Sequence, residues 1–145
     1  MTHPHLTDGS NGDILDLGTI TLRLLTTSEQ TGGAFAVGES SGGEGPWTVP
    51  HVHQHTAESF YVLDGAFTFT LGTDDVEAGP GSLVRVPPGT RHELRAAPGG
   101  GRLLTFWVPG GTEAMFVELS RMPPGSLRDP EARKAISTRF DSIPT

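Results

Sequence analysis

Pro50-His51-Val52-His53-Gln54-His55-Thr56-Ala57-Glu58 places three imidazoles and a carboxylate within the eight residues from His51 to Glu58. In an extended strand, side chains two apart share a face. His51 and His53 therefore present nitrogen donors side by side, about 7 Å apart along the backbone. Gln54 to Ala57 suffice for a loop or corner, and Glu58 can return an oxygen donor from the next strand, Glu58-Ser59-Phe60-Tyr61-Val62-Leu63. A further donor is available at His92, just after the turn signal Pro87-Pro88-Gly89-Thr90. Imidazole with carboxylate suits first-row divalent metals better than calcium or magnesium. His55 shares parity with His51 and His53, but three collinear positions span about 13 Å, too far for one ion on a straight strand. It is expected beside the ligands or in the pocket.

Outward from this stretch the chain reads as β. Ile14 to Thr26 has a strand pattern, with Ile20, Leu22 and Leu24 alternating against Thr21 and Arg23. Ala34 to Val37 forms a second short strand, and the Ser/Gly-rich run Glu39 to Trp47 a loop in which Trp47 could contact ligand or equally plug the barrel end. After Leu63, Asp64-Gly65 signals a hairpin turn, and Phe67, Phe69 and Leu71 alternate with Thr68 and Thr70. Short strands follow at Val76 to Ala78, Ser82 to Val86, His92 to Ala96 and Arg102 to Val108. Parity alone leaves open which of Phe60, Phe67, Phe69, Phe106 and Trp107 face inward; together they would favour an apolar ligand.

Beyond Val108 the period becomes helical. Thr112 can cap a helix over Glu113 to Leu119, and Pro123-Pro124-Gly125 reads as a linker. Asp129-Pro130-Glu131 is an N-cap, an N1 proline and an acidic first turn. The helix it starts, to Phe140, carries the apolar stripe Ala132, Ala135, Ile136 and Phe140. The expected organisation is a flexible tail over residues 1–13, a β-barrel over 14–112, and a helical appendage over 113–145 that covers one end of the barrel.

The spacing also carries a resemblance. Gly45, five residues, His51-x-His53, four residues, Glu58, six residues, Gly65 resembles the first sequence motif of the cupin family without a gap. Gly81, five residues, Pro87-x-Gly89, two residues, His92 resembles the second. The family closes that motif with Asn where this chain has Ala96, a position that is not a metal ligand in the family pattern. The resemblance covers residues 34 to 108. It implies an all-β cupin fold (a double-stranded β-helix, or jelly-roll barrel) with a short helical C-terminal appendage. It also implies one divalent transition metal ion, Fe, Mn, Ni, Co, Cu or Zn, held by His51, His53, Glu58 and His92. The Pro-Gly-Gly-Thr-Glu-x-Met-Phe stretch and the helical tail look like those of small single-domain cupins similar to quercetin 2,3-dioxygenase. The activity so implied is dioxygen-dependent cleavage of a small aromatic or polyketide-like enol or hydroxy-ketone, with Glu58 able to serve as base and Trp47, His55, Phe60, Phe67, Phe69 and Phe106 around the substrate. Similar proteins act as non-redox cyclases, isomerases or decarboxylases, or bind ligand without turnover.

Composition bounds the partners. A chain of 145 residues fits one domain, and 20 Gly with 12 Pro between short apolar runs suggest many tight turns. No cysteine is present, which excludes disulfides and thiol catalysis and disfavours a closed structural zinc site. A net charge of −7 argues against nucleic acid and anionic membrane. Met1-Thr2-His3-Pro4-His5 lacks the basic and apolar regions of a secretory signal, so a cytoplasmic location is expected; His3 and His5 are expected as tail histidines. Apolar residues on both strand faces (Tyr61, Leu63, Leu103, Trp107) suggest a homodimer.

Overall fold

Two long strands that bend organise the molecule. The computed structural model describes residues 3–123 and 129–145. Its strands are β1 (Asp13–Asp16), β2 (Ile20–Thr26), β3 (Ala36–Gly42), β4 (Gly45–Pro46), β5 (His51–Val52), β6 (Ala57–Leu71), β7 (Asp74–Ala78), β8 (Leu83–Val86), β9 (His92–Val108) and β10 (Ile143–Pro144). Helices are α1 (Ser28–Thr31), α2 (Glu113–Ser120) and α3 (Pro130–Ser137), the last followed by a 3-10 turn over Thr138–Phe140. All pairings are antiparallel, and β6 runs alongside β9 through both halves of each. The halves near the middle of the chain fold, Ala57 to Asp64 with Arg102 to Val108, belong to one layer with β1, β2, β3 and β8. Phe67 to Leu71 with His92 to Ala96 belong to the other, with β4, β5, β7 and β10. This is a jelly roll in two layers, held together by strands common to both. The hydrogen-bonded ladder does not close into a ring among the described residues.

The bend explains where periodicity misleads. Asp64-Gly65 is not a hairpin turn: β6 continues through it, with register shifts on both sides of that dipeptide. Glu58, Phe60 and Val62 are buried before the shift, and Phe67 and Phe69 after it, so inward parity changes from even to odd. The same happens in β9, where Leu94 and Ala96 face the core before Pro98-Gly99-Gly100 and Leu103, Thr105 and Trp107 after it. An inserted residue turns every following side chain to the opposite face. Gly65 adopts φ 76 and Gly100 φ 69. A Cβ at Gly65 would collide with the carbonyl oxygen of Gly100, and one at Gly100 with that of Gly42, so the corner requires glycine at both.

Other boundaries also move. Ile14 to Thr26 is a hairpin rather than one strand, and β3 starts later than expected and consumes the first part of the Ser/Gly-rich loop. Residues ahead of β1 are tied down in part: Thr7 Oγ1 donates to Leu25 O, and the Arg23 guanidinium to Asp8 O and Asn11 O. Thr112 stands at the N-cap of α2 without capping it. Instead the Glu113 carboxylate, buried at 2% exposure, accepts the main-chain N–H groups of Gly111 and Ser28 and so pins α1 to α2. Asp129 does cap α3, accepting from Glu131 N and Ala132 N. That helix ends at Ser137, and its expected stripe is only half realised: Ala135 is exposed, Ala132 and Ile136 are half-buried, and Ser137 is the buried residue. Of the expected linker, Pro124 and Gly125 lie outside the described residues, as do Met1 and Thr2. Leu103 and Trp107, each 1% exposed, face inward and leave only Tyr61 and Leu63 of the proposed dimer face.

The corner yields a paired prediction. Gly65→Ala combines left-handed backbone with a steric collision, whereas Gly72, at φ 64, has open space around it. Gly72→Ala should cost about 1 kcal/mol, and Gly65→Ala distinctly more, of order 3 kcal/mol, in chemical unfolding. Equal losses would show that the close approach at the corner is unimportant.

Candidate metal centre

Four strands or strand ends deliver the site. His51 on β5 pairs directly opposite His92, the first residue of β9, and the two imidazole centroids lie 4.2 Å apart. β5 ends at Val52, and His53 follows with its ring 4.8 Å from His51 and 5.2 Å from His92. After a bend at Gln54 and His55, the chain enters β6, where Glu58 has the inward parity of Phe60 and Val62. On the far side of β5, β10 pairs Ile143 with Val52 and Pro144 with His51. The chain's C-terminal strand thus forms the outer neighbour of the histidine strand, a pairing without any sequence periodicity to announce it.

Hydrogen bonds fix the tautomer of each ring. Nδ1 of His51 donates to Val49 O at 2.8 Å, Nδ1 of His53 to Asp141 O at 2.6 Å, and Nδ1 of His92 to Thr90 O at 2.8 Å. A carbonyl oxygen only accepts, so each Nδ1 must carry hydrogen. A neutral ring then directs an unshared pair from Nε2. These side chains, with Glu58, present donor atoms that all lie within 4.8 Å of one another. Glu58 Oε1 is 3.0 Å from His92 Nε2 and 3.4 Å from His53 Nε2. His53 Nε2 is fully buried and has no hydrogen-bond partner. Lone pairs facing a carboxylate at these distances repel unless a cation, proton or metal, lies among them. The donor set and the orphaned nitrogen fit a divalent transition metal.

Electrostatics follow from burial and mutual proximity. Burial pushes His51 down to about 4, against the opposing pull of Glu58. Burial also lowers His53, but the Glu58 carboxylate 3.4 Å from its Nε2 outweighs it and leaves its pKa raised, so that nitrogen attracts a cation, proton or metal. Burial would raise Glu58; the adjoining imidazoles of His53 and His92 prevail and hold the carboxyl well below the usual carboxylate range. Trp107 Nε1 donates to Glu58 Oε2 at 2.6 Å. Glu58 is thus an ionised carboxylate, with one oxygen anchored by indole and one turned to the imidazoles.

A cavity of about 280 Å³ opens beside these residues. Trp47 and Phe60 line it, as do Leu22, Leu103, Thr105 and Trp107 from the strands and Met115 and Leu119 from α2. α3 adds Arg133, Lys134 and Ser137 to the wall. Of the residues expected around a substrate, four stand elsewhere. Phe67 and Phe69 belong to the core behind Phe60, with the Phe60 and Phe69 rings 5.1 Å apart. Phe106 points to the outer face, half-buried, because the parity shift in β9 gives the inward position to Trp107. His55 is also displaced: its side chain is exposed because the bend after His53 breaks the alternation. Ala96 lies in the apolar core, apart from the four donors. His3 and His5 are exposed and outside that cluster.

Comparison with known proteins agrees with this architecture. A family model described as "Cupin domain" matches residues 35–109. Quercetin 2,3-dioxygenase of Bacillus subtilis (strain 168) is 29% identical over 140 residues, covering 97% of this chain and 41% of that protein. The chain therefore spans less than half the length of that relative. Among solved structures, KdgF from Halomonas sp. superposes with a TM-score of 0.67 at 18% identity, over 78% of this chain and 99% of that one. A Streptomyces nucleoside dehydratase gives 0.64 at 19% identity, over 78% and 88%. At these identities the structural likeness speaks to fold alone.

Trp107 offers a direct test of the site's electrostatics. Trp107→Phe keeps most of the packing and removes the N–H that satisfies Glu58 Oε2. A buried charge left without its donor costs about 1.5–3 kcal/mol. Unfolding of the metal-free protein should report that loss; an unchanged midpoint would mean that Glu58 does not depend on the indole.

Proposed function

We propose, since the chain belongs to the cupin family, that it is a metal-dependent enzyme acting on a small apolar enol or hydroxy-ketone, as a dioxygenase of the quercetinase type. The observation that carries this reading is the convergence of His51, His53, Glu58 and His92, with every Nδ1 committed to a backbone carbonyl. These four residues would hold the ion, one of Fe, Mn, Ni, Co, Cu or Zn. Such an ion, when redox-capable, supplies activation of an enolate toward dioxygen, and when not, Lewis acidity. The similarity to a quercetin 2,3-dioxygenase along nearly the whole chain supports the redox form.

The remaining roles follow from the cavity. Trp47, Phe60, Leu103 and Met115 give it an apolar wall that would take an aromatic or polyketide-like body. Arg133 and Lys134 put positive charge on the α3 side, which favours a ligand bound as its anion, an enolate among them. Glu58 is the one side-chain carboxylate lining the cavity among the described residues, and we assign it the proton of the substrate hydroxyl. Being ionised, it accepts rather than donates, and as a weak base it suits a proton already acidified by the neighbouring cation. Among the described residues no helix is long and apolar enough to cross a membrane.

Non-redox cyclisation, isomerisation or decarboxylation is the second reading, because imidazole and carboxylate hold zinc as well as redox metals. Metal analysis of the purified protein, with oxygen consumption measured against flavonols, separates the two. The proposal expects bound redox-active metal and oxygen uptake that depends on the flavonol. Product formation without oxygen would favour the second reading, and ligand affinity with no product would identify a binding protein. His51→Ala and His92→Ala should each weaken metal binding by more than the roughly 10–100-fold typical of losing a supporting partner. Full occupancy in either variant would refute the ligand assignment.

A further inference from the structure

A residue far along the chain, Asp141, accepts four hydrogen bonds from the histidine loop. Its backbone lies in the left-handed region at φ 59, ψ 35, directly after the 3-10 turn. Asp and Asn are the non-glycine residues that tolerate this conformation best. The main-chain carbonyl of Asp141 accepts from Nδ1 of His53 at 2.6 Å. Its carboxylate accepts the Gln54 N–H at 2.8 Å through Oδ1, and the His55 N–H and the Thr56 hydroxyl, both at 2.9 Å, through Oδ2. One residue thus grips His53, Gln54, His55 and Thr56 in succession, the span that joins two donors of the cluster.

We propose that Asp141 is the positioning residue of the metal centre: its carbonyl sets the tautomer and rotation of His53, and its carboxylate fixes the turn that spaces His53 from Glu58. This inference rests on the reading of His51, His53, Glu58 and His92 as metal ligands. The surroundings hold Asp141 itself in place. Thr112 Oγ1 donates to Phe140 O at 3.3 Å, Ser142 N donates to Ser137 O at 3.1 Å, and β10 begins at Ile143. His53 is also the one donor of the four outside a strand, since β5 ends one residue before it. Without the clamp, Nδ1 of His53 loses its acceptor and the bend at Gln54-His55 loses the acceptors of two main-chain N–H groups. The C-terminal segment therefore belongs to the metal centre as well as to the cavity wall.

Two substitutions separate the parts of this device. Asp141→Gly keeps the left-handed backbone at no steric cost, and with it the carbonyl, but removes the carboxylate. Asp141→Asn keeps the backbone preference and one acceptor oxygen. Full-length proteins are loaded with Co(II), and affinity by chelator competition and the visible absorption spectrum are read alongside unfolding of the metal-free forms. The expected result is about 10–100-fold weaker Co(II) binding with an altered spectrum for Asp141→Gly, and a smaller loss with partial recovery of the spectrum for Asp141→Asn. Variants that unfold more easily yet bind Co(II) with wild-type affinity and spectrum would overturn the inference and leave the ligand assignment standing. Wild-type protein that takes up no Co(II) would overturn both.

Discussion

Four buried groups converge with acceptor atoms facing one another because each histidine spends its N–H on a backbone carbonyl. Val49, Thr90 and Asp141 provide those carbonyls, from the approach to β5, the approach to β9 and the C-terminal turn. Lone pairs of three rings and an ionised carboxylate then face one another, with Nε2 of His53 left without a partner. Burying polar atoms unpaired is unfavourable by several kcal/mol. A cation among them reverses the sign, so the arrangement that would weaken a protein core becomes a binding site. Trp107 contributes from the other side, anchoring the second oxygen of Glu58 so that the first is free to turn inward.

The fold supplies this convergence through two strands that change layer. Because β6 and β9 bend at Gly65 and Gly100, their ends carry Glu58 and Trp107 in one layer while the start of β9 carries His92 in the other. β5 needs only two residues to bring His51 opposite His92, since β10 covers its outer edge. The helices then complete what the layers leave open. Met115 and Leu119 of α2 add apolar wall, and α3 adds Arg133 and Lys134. Rigid strands thus hold the donors, while the segment beyond Val108 shapes the space in front of them.

Much of this was written locally in the chain. The four donors and the glycines and prolines around them sit at fixed short spacings, so His51, His53, Glu58 and His92 could be picked out together, and with them the cupin fold. What escaped depends on residue slips and distant pairing. Phe60, Phe67 and Phe69 look equivalent in an alternating pattern, yet the slip at Asp64-Gly65 and the layering of the core separate Phe60 at the cavity from the other two. The same slip in β9 exchanges Phe106 for Trp107. His55 follows His53 by two, but the strand has already ended. Asp141 and β10 have no periodicity at all; their roles exist only once residues about ninety positions apart meet.

The central claim is that the buried lone pairs form one metal site built from three imidazoles and one carboxylate. X-ray absorption at the metal edge of the loaded protein measures that coordination directly. The account predicts three imidazole nitrogens, at about 2.0–2.1 Å if the ion is zinc, with carboxylate oxygen completing the protein donors. A first coordination sphere of oxygen alone, or with fewer than three imidazoles, would contradict it.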